Sequence, residues 1–363
     1  MYAEFVEISN FRNIASMRLV PAVKGVTAIT GFNGQGKSSV IEALAYALSG
    51  KSFRNSPKDS MVTKGQDQSI VRTSLKSAER ELLVELAINK GRADKLMSNR
   101  NGVSRSELSR LAPLTIFTPR DIEIISGPPS ERRDFIDSAL TTMGPRAGES
   151  VENFERLLRH RASLLRDIAI SNDPSLQEMI AIFDERLAEE GERLTRMRLA
   201  LLAKIEPELS DQYAGISGKS DQVLITYSST WGQDLRAALD ASRLEDVRKG
   251  ATSVGPHRDE IIFTLKGLNA RYEASQGEQR TLAFSLKMGL HEVIRDRIGE
   301  DPIVLLDDVF SELDEKRIEK VLEVSDSAQV VVTTSIDQQV DSRVKLKLKI
   351  VGGELEGCGT VRA

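Results

Sequence analysis

Gly31-Phe32-Asn33-Gly34-Gln35-Gly36-Lys37-Ser38 decides how this chain is read. The order of glycines, lysine and hydroxyl is that of a phosphate-binding loop. Its context makes the match specific: Val26 to Thr30 reads as a strand, and from Lys37 to about Ser49 apolar residues recur at helical spacing. Gly31, Gly34 and Gly36 let the backbone curl so that successive N–H groups face inward, and the helix start adds its positive dipole end. Phe32, Asn33 and Gln35 complete the cradle. Lys37 is then expected to reach the β and γ phosphates of a nucleotide, and the Ser38 hydroxyl to ligate Mg²⁺. A glycine-rich loop that merely opens a helix is the bland alternative, which the flanking elements disfavour.

Outward from the loop, Pro302-Ile-Val-Leu-Leu-Asp307-Asp308 has consecutive apolar positions, the mark of a strand buried on both faces of a mainly parallel sheet. Such a strand delivers two carboxylates to the sheet's carboxyl edge. There Asp307 binds Mg²⁺ directly or through water, and Asp308 orients or deprotonates an attacking water. Strands often end in an acidic turn, so this motif draws its weight from the phosphate loop. Ala274-Ser275-Gln276-Gly277-Glu278-Gln279 opens a helix that runs to about Ile298. Ser275 with Glu278 fits a capping box, which accounts for the pattern without any function.

Placed between a phosphate loop and an acidic strand, the same helix start resembles the signature of the ABC ATPases. That resemblance implies that Ser275 and Gly277 bind the γ-phosphate of a nucleotide held by a partner copy, through hydroxyl, backbone and helix dipole. Ala274 departs from the pattern, standing where many transporters have leucine. Ser311-Glu-Leu-Asp314 resembles the family's loop across the dimer interface, and Thr333 and Thr334 occupy the place of the transporters' switch histidine. Thr333 is expected to hydrogen-bond the γ-phosphate. A threonine cannot donate a charged proton, which implies slow turnover.

The order of phosphate loop, long insertion, signature and acidic strand is similar to the SMC-like branch of these ATPases, and more narrowly to the RecF family of recombination mediators. The narrower likeness rests on Ile8-Ser-Asn-Phe11-Arg12-Asn13, Phe117-Thr-Pro-Arg-Asp121, Pro129-Ser-Glu-Arg132-Arg133, Gly255-Pro-His257-Arg258-Asp259 and Leu305-Leu-Asp307-Asp308-Val-Phe-Ser-Glu-Leu-Asp314. It implies ATP and Mg²⁺ as cofactors, with Arg12 and Asn13 as further ATP contacts. It also implies an ATP-dependent homodimer with weak DNA-dependent ATPase activity used as a switch. The dimer is expected to bind DNA at single-strand/double-strand boundaries and gaps, acting with RecR and RecO to load RecA where single-strand-binding protein coats the gap. Arg132, Arg133, His257 and Arg258 receive no role; a surface ion pair is the default for such arginines beside acids.

The fold class expected is therefore α/β, an ABC-type P-loop ATPase head with a helical insertion lobe. Residues 1–118 and 250–363 form the head, and 119–249 a mainly helical lobe. Within the head, strands are expected at Ile70 to Lys76 and Glu81 to Ile88, and Asn101-Gly102 signals a hairpin turn. In the lobe, Phe154, Leu157, Leu158, Leu164, Leu165 and Ile168 mark one apolar stripe, and Phe183, Leu187, Leu194, Leu201 and Ile205 another. Most of their charges, such as Glu155 with Arg159, read as solvated faces. With 363 residues and 40% apolar content there is ample material for a core, and no apolar run is long enough for a membrane span. A cytoplasmic protein is expected. The net charge of −4 excludes a wholly basic nucleic-acid binder, but 50 Lys and Arg leave room for a local basic surface. Cys358 is the one cysteine and receives no role.

Three other assignments compete. A transporter's nucleotide-binding subunit is disfavoured by the missing histidine and the long insertion. An SMC-type structural ATPase needs a long heptad arm, and the helical stripes here are too short and irregular. An overcoming-lysogenization-type nuclease shares the head but needs an added acidic metal-binding domain, for which the chain after the head is expected to be too short.

Overall fold

In the computed structural model, β1 (Tyr2–Phe11), β2 (Ile14–Leu19), β3 (Gly25–Thr30), α1 (Lys37–Ser49), β4 (Gln68–Lys76), β5 (Glu81–Asn89), β6 (Lys95–Ser98), β7 (Asn101–Gly102), α2 (Arg105–Leu111) and β8 (Leu114–Phe117) come first. The chain continues through α3 (Glu123–Ser126), α4 (Pro129–Met143), α5 (Pro145–Ile170), α6 (Pro174–Ser217), β9 (Val223–Ser228), α7 (Leu235–Lys249), β10 (Glu260–Leu265), β11 (Leu268–Asn269), α8 (Ala270–Glu273) and α9 (Gln276–Ile298). It closes with β12 (Ile303–Asp307), α10 (Glu315–Leu322), β13 (Gln329–Thr334), β14 (Val344–Val351) and β15 (Glu354–Glu356). The structure describes residues 1–54, 56–78, 80–171, 173–312, 315–335 and 343–356. Two compact units result: Met1–Asp121, Gly215–Gly218 and His291–Ala363 form the first, and Ile122–Ala214 and Lys219–Leu290 the second.

Residue type sorts the strands of the first unit into two sheets. β3, β12 and β13 are buried at every position, a pattern that needs cover on both faces. They form the centre of a six-stranded sheet ordered β15-β14-β3-β13-β12-β8, parallel except for the β14–β15 pair. β5 instead alternates buried and half-buried residues, and it belongs to an antiparallel sheet ordered β2-β1-β4-β5-β6-β7. α1 packs on strands of both sheets, and its Val40, Ile41, Ala43, Leu44, Ala45 and Leu48 join them in a single apolar core. Because β13 lies between β3 and β12, the carboxyl ends of these three parallel strands, Thr30, Thr334 and Asp307, share one edge.

The β6–β7 hairpin turns two residues earlier than the Asn-Gly signal implies. Ser98 pairs with Asn101, so Asn99 and Arg100 are the turn residues, with φ of 49° and 68°. A two-residue turn of this hand needs positive φ at both centres, and Asn tolerates it well. Asn99 also accepts the Leu83 N–H at 2.8 Å, which fixes the register from the neighbouring strand.

In the second unit, Phe154, Leu165, Ile168, Leu187, Leu194, Leu201 and Ile205 are buried as their helical spacing requires. The exposed Glu155–Arg159 and Glu192–Arg196 pairs also form, at 3.6 and 3.8 Å. The charges at Arg161, Asp184, Arg198 and Asp246 behave otherwise: all four are buried. Arg161 donates to Asp184 at 2.6 Å, to Asp246 at 2.7 Å and to Thr252 at 3.0 Å, tying α5, α6 and α7 together. Arg198 donates to Asp137 and to the Pro256 carbonyl, both at 2.7 Å.

Residues 250–290, expected with the head, fall within the second unit. The physical reason is strand pairing: β10 is bonded antiparallel to β9 across its whole length and to β11 by a tight turn, making a three-stranded sheet. The unit is therefore not purely helical, and it carries the signature segment.

Candidate functional site

The phosphate loop leaves β3 and enters α1 through Gly36, whose φ of 107° is left-handed and whose position before the helix provides no side-chain cap. A Cβ there would lie 2.9 Å from the Asn13 amide nitrogen. Asn13 also accepts the Ser39 hydroxyl at 3.0 Å, so it braces the loop from behind. Lys37 folds back over the loop: its ammonium donates to the carbonyls of Gly31 at 2.7 Å and Phe32 at 3.1 Å, and to Asn33 Oδ1 at 3.4 Å. Burial pushes this lysine below its ordinary pKa, while the charges of Asp308 and Asp307 oppose the shift. Phe32 itself is 81% exposed, so its part in the cradle is through the backbone.

At the neighbouring strand ends, one hydroxyl ties the acidic pair together. Thr333 Oγ1 donates to Asp307 Oδ1 at 2.9 Å and accepts the Asp308 N–H at 3.0 Å. Asp308 has φ of 51°, an uncommon conformation for a residue with a side chain. The threonine is fully buried. Its position on β13, between the two motif-bearing strands, gives it this bridging place rather than an open hydroxyl.

Glu42, Arg54 and the Gly352-Gly353 turn join this edge without having been singled out by the sequence. Glu42 is fully buried in α1 and accepts from Arg12 Nε at 2.5 Å, Arg12 Nη2 at 2.7 Å and Ser52 Oγ at 2.6 Å. Arg54 places its guanidinium 3.4 Å from Asp307 Oδ2. A lone carboxylate within the apolar run Val40 to Leu48 was the available signal for Glu42. Arg54 lies in an aperiodic stretch and had none. The turn after β14 donates the Gly353 N–H to the Gln35 carbonyl at 3.0 Å and the Gly352 N–H to the Gln35 side chain. At Gly353, with φ of 86°, a Cβ would stand 2.3 Å from the Asn13 carbonyl oxygen. Gly353→Ala is therefore expected to push the turn off Gln35 and weaken nucleotide affinity about tenfold. The accompanying stability loss should be about 1–3 kcal/mol, measured by isothermal titration and urea unfolding.

These residues fit a nucleotide with Mg²⁺. The three acceptors around Lys37 belong to its own loop, and a phosphate can replace them. Asp307 keeps its second oxygen toward a cationic position, where Arg54 now stands. Among the described residues no cluster of three His, Cys, Asp or Glu is placed to hold a metal ion; Ser38 and Asp307 are the residues that would hold one beside phosphate oxygens.

In the second unit the signature segment is described by itself. Ser275, Gln276 and Gly277 are exposed. The expected capping box forms: Glu278 accepts the Ser275 N–H at 3.0 Å, and Ser275 Oγ accepts the Glu278 N–H at 3.3 Å. Lys266 first and Ser275 second hold the Glu278 carboxyl down to about 2. The Ser311–Asp314 loop lies outside the residues whose side chains are described, as does Cys358.

Of the residues without an assigned role, Arg132, Arg133 and His257 are held inside the second unit, whereas the Arg258 side chain is exposed. Arg132 is buried, bonded to Glu260 and to the carbonyls of Gly127 at 3.0 Å and Ile125 at 3.2 Å. Arg133 donates to the Asp259 carbonyl at 2.8 Å. His257 reaches the Thr252 carbonyl at 3.0 Å, and burial holds its pKa down to about 4. Asp259 accepts from Tyr227 at 2.8 Å and Trp231 at 3.0 Å. These contacts make the motifs fasteners of the second unit.

A family model described as "RecF/RecN/SMC N terminal domain" matches residues 2–351. DNA replication and repair protein RecF of Streptomyces avermitilis is 33% identical over 356 residues, covering 94% of this chain and 95% of the relative. The chain belongs to the RecF family. RecF of Frankia alni is 32% identical, over 95% of this chain and 96% of its own. Among solved structures, a recombination mediator RecF with ATP, described within the RecFOR pathway, superposes with a TM-score of 0.91 at 30% identity, covering 99% and 98% of the two chains. A Pyrococcus furiosus Smc head gives a TM-score of 0.59 at 14% identity, which shows the fold alone. The head is thus an ABC-type ATPase head of α/β class. Among the described residues no helix is long and apolar enough to cross a membrane.

Proposed function

We propose that this protein binds ATP with Mg²⁺, dimerises on it head to tail, and in that form binds gapped duplex DNA. With RecO and RecR it promotes RecA loading in the cytoplasm at gaps coated by single-strand-binding protein. The observation that carries the reading is that the two chemistries belong to different units. Lys37 and the acidic pair stand at one sheet edge, while Ser275 and Gly277 stand exposed at a helix start, with open space around Gly277. In ABC ATPases these halves meet between two copies, and membership of the RecF/RecN/SMC family is what supports carrying that arrangement over.

In this reading Lys37 and the N–H groups of Gly31 to Ser38 hold the triphosphate, and Ser38 with Asp307 holds the metal. Mg²⁺ neutralises phosphate charge. Asp308 orients the attacking water, and Thr333 holds the Asp307 carboxylate and the Asp308 backbone in place. Asn13 and Arg12 act from behind, by bracing Gly36 and fixing Glu42. Ser275 and Gly277 of the second copy grip the γ-phosphate, so hydrolysis removes the link and times dissociation. A closed dimer brings together two copies of any basic surface, making DNA affinity nucleotide-dependent and salt-dependent.

Thr333→Val preserves shape and removes the bridging hydroxyl. The expected result is a fall in ATPase kcat of about tenfold to a hundredfold, one to two hydrogen bonds' worth, with ATP affinity of the monomer nearly unchanged. Steady-state hydrolysis and equilibrium binding measure the two separately; equal losses in both would contradict a positioning role. For the function as a whole, fluorescence anisotropy on gapped duplex DNA is the test. ATP should tighten binding and ADP should not, and binding indifferent to nucleotide would remove the switch.

A further inference from the structure

Tyr272 is 71% exposed, although it is a large ring on a well-fastened segment. It sits in α8, three residues before Ser275. The signature's own Gln279 is buried and donates to the carbonyls of Ala270 at 2.9 Å and Arg271 at 3.0 Å. Asn269 caps the same turn by accepting the Arg271 N–H at 3.0 Å. The position of Tyr272 relative to Ser275 is thus fixed from both sides. Above the ring, the Arg271 guanidinium lies 5.1 Å from its centroid. Both side chains border an opening of about 210 Å³ floored by Ile261 and Phe263, so the aromatic face adjoins unfilled space.

An exposed ring with a cation stacked on it is a platform for a flat π-system. Resting on the dimer reading above, we infer that Tyr272 with Arg271 stacks on the base of the nucleotide held by the partner copy. Three residues of chain reach at most about 10 Å, which is comparable with a triphosphate and ribose laid end to end. If Ser275 grips the γ-phosphate in trans, Tyr272 lies within about one nucleotide's length of that phosphate. The partner copy then supplies a grip at each end of the nucleotide. Stacking does not read base edges, so the platform favours purines over pyrimidines by area and does not separate adenine from guanine.

Light scattering against nucleotide concentration, with ATP and UTP, tests this on wild type, Tyr272→Ala and Tyr272→Phe. Binding of ATP to the monomer is measured in a Ser275→Arg background. Wild type should dimerise at lower ATP than UTP. Tyr272→Ala should need about tenfold more ATP and lose the purine preference, while Tyr272→Phe keeps it and monomer affinity is unchanged. The inference is overturned if Tyr272→Ala dimerises as wild type does, keeps the preference, or loses ATP and UTP response equally. It is also overturned if the variant dimerises normally and loses only DNA binding. Failure of wild type to dimerise with ATP would instead sink the underlying reading.

Discussion

Gly277→Ala is expected to leave the protein as stable as wild type or slightly more so, and to weaken ATP-driven dimerisation at least about a hundredfold. A Cβ at this position meets nothing within 4 Å, and Ala is favoured over Gly in a helix by up to about 1 kcal/mol. Nothing in the single chain therefore opposes the methyl group. What the methyl blocks is the close approach of a phosphate to the backbone of the first turn. Losing one charge-assisted hydrogen bond costs about 1.5–3 kcal/mol, and a dimer with two such sites loses it twice. Thermal unfolding and light scattering in ATP measure the two effects. A variant that dimerises normally would show that the Gly277 backbone does not contact nucleotide.

Arg161→Met should cost about 3–5 kcal/mol of stability in the second unit. The guanidinium is fully buried between Asp184 and Asp246, themselves fully buried. Removing it takes the cation from Asp246 and leaves Asp184 with Arg243 and Arg236. Arg243 reaches Asp184 at 3.0 Å, and Ser253 with Ser242 reaches Asp246 at 2.6 and 3.1 Å, which softens the loss without replacing the charge between them. Replacing the acids as well, in Arg161→Met with Asp184→Asn and Asp246→Asn, should recover much of it, because amides cost far less to bury than unpaired carboxylates. Calorimetry decides between this and a surface role, for which the single variant would shift stability by less than about 0.5 kcal/mol.

The motif-bearing sheet edge was legible in the sequence because its parts are local. A loop of eight residues, one strand with its terminal acids and one helix start each carry their chemistry within a single element. What the sequence could not display was pairing between distant segments. Asp307 and Thr333 become partners only because β12 lies beside β13, and the Gly352-Gly353 turn finds Gln35 across more than 300 residues. The buried arginines Arg132, Arg161 and Arg198 looked like solvent-facing charges for the same reason, since each is neutralised by acids or carbonyls from elsewhere in the chain. The hairpin at Asn99-Arg100 shows a local signal overruled by a neighbouring strand. The placement of residues 250–290 turned on β9 pairing with β10, which no local pattern predicts.

Mixing two defective variants tests the central claim most directly. Lys37→Met removes the loop's cation and leaves the signature intact, whereas Ser275→Arg does the reverse. Neither alone can assemble a complete site. A mixed dimer contains one complete site, built from the loop of the Ser275→Arg copy and the signature of the Lys37→Met copy. Light scattering in ATP should show monomers for each variant alone and a dimer-mass species only on mixing, accompanied by recovered ATP hydrolysis. Full dimerisation and hydrolysis by Ser275→Arg alone, or no recovery on mixing, would contradict a nucleotide site shared between two copies.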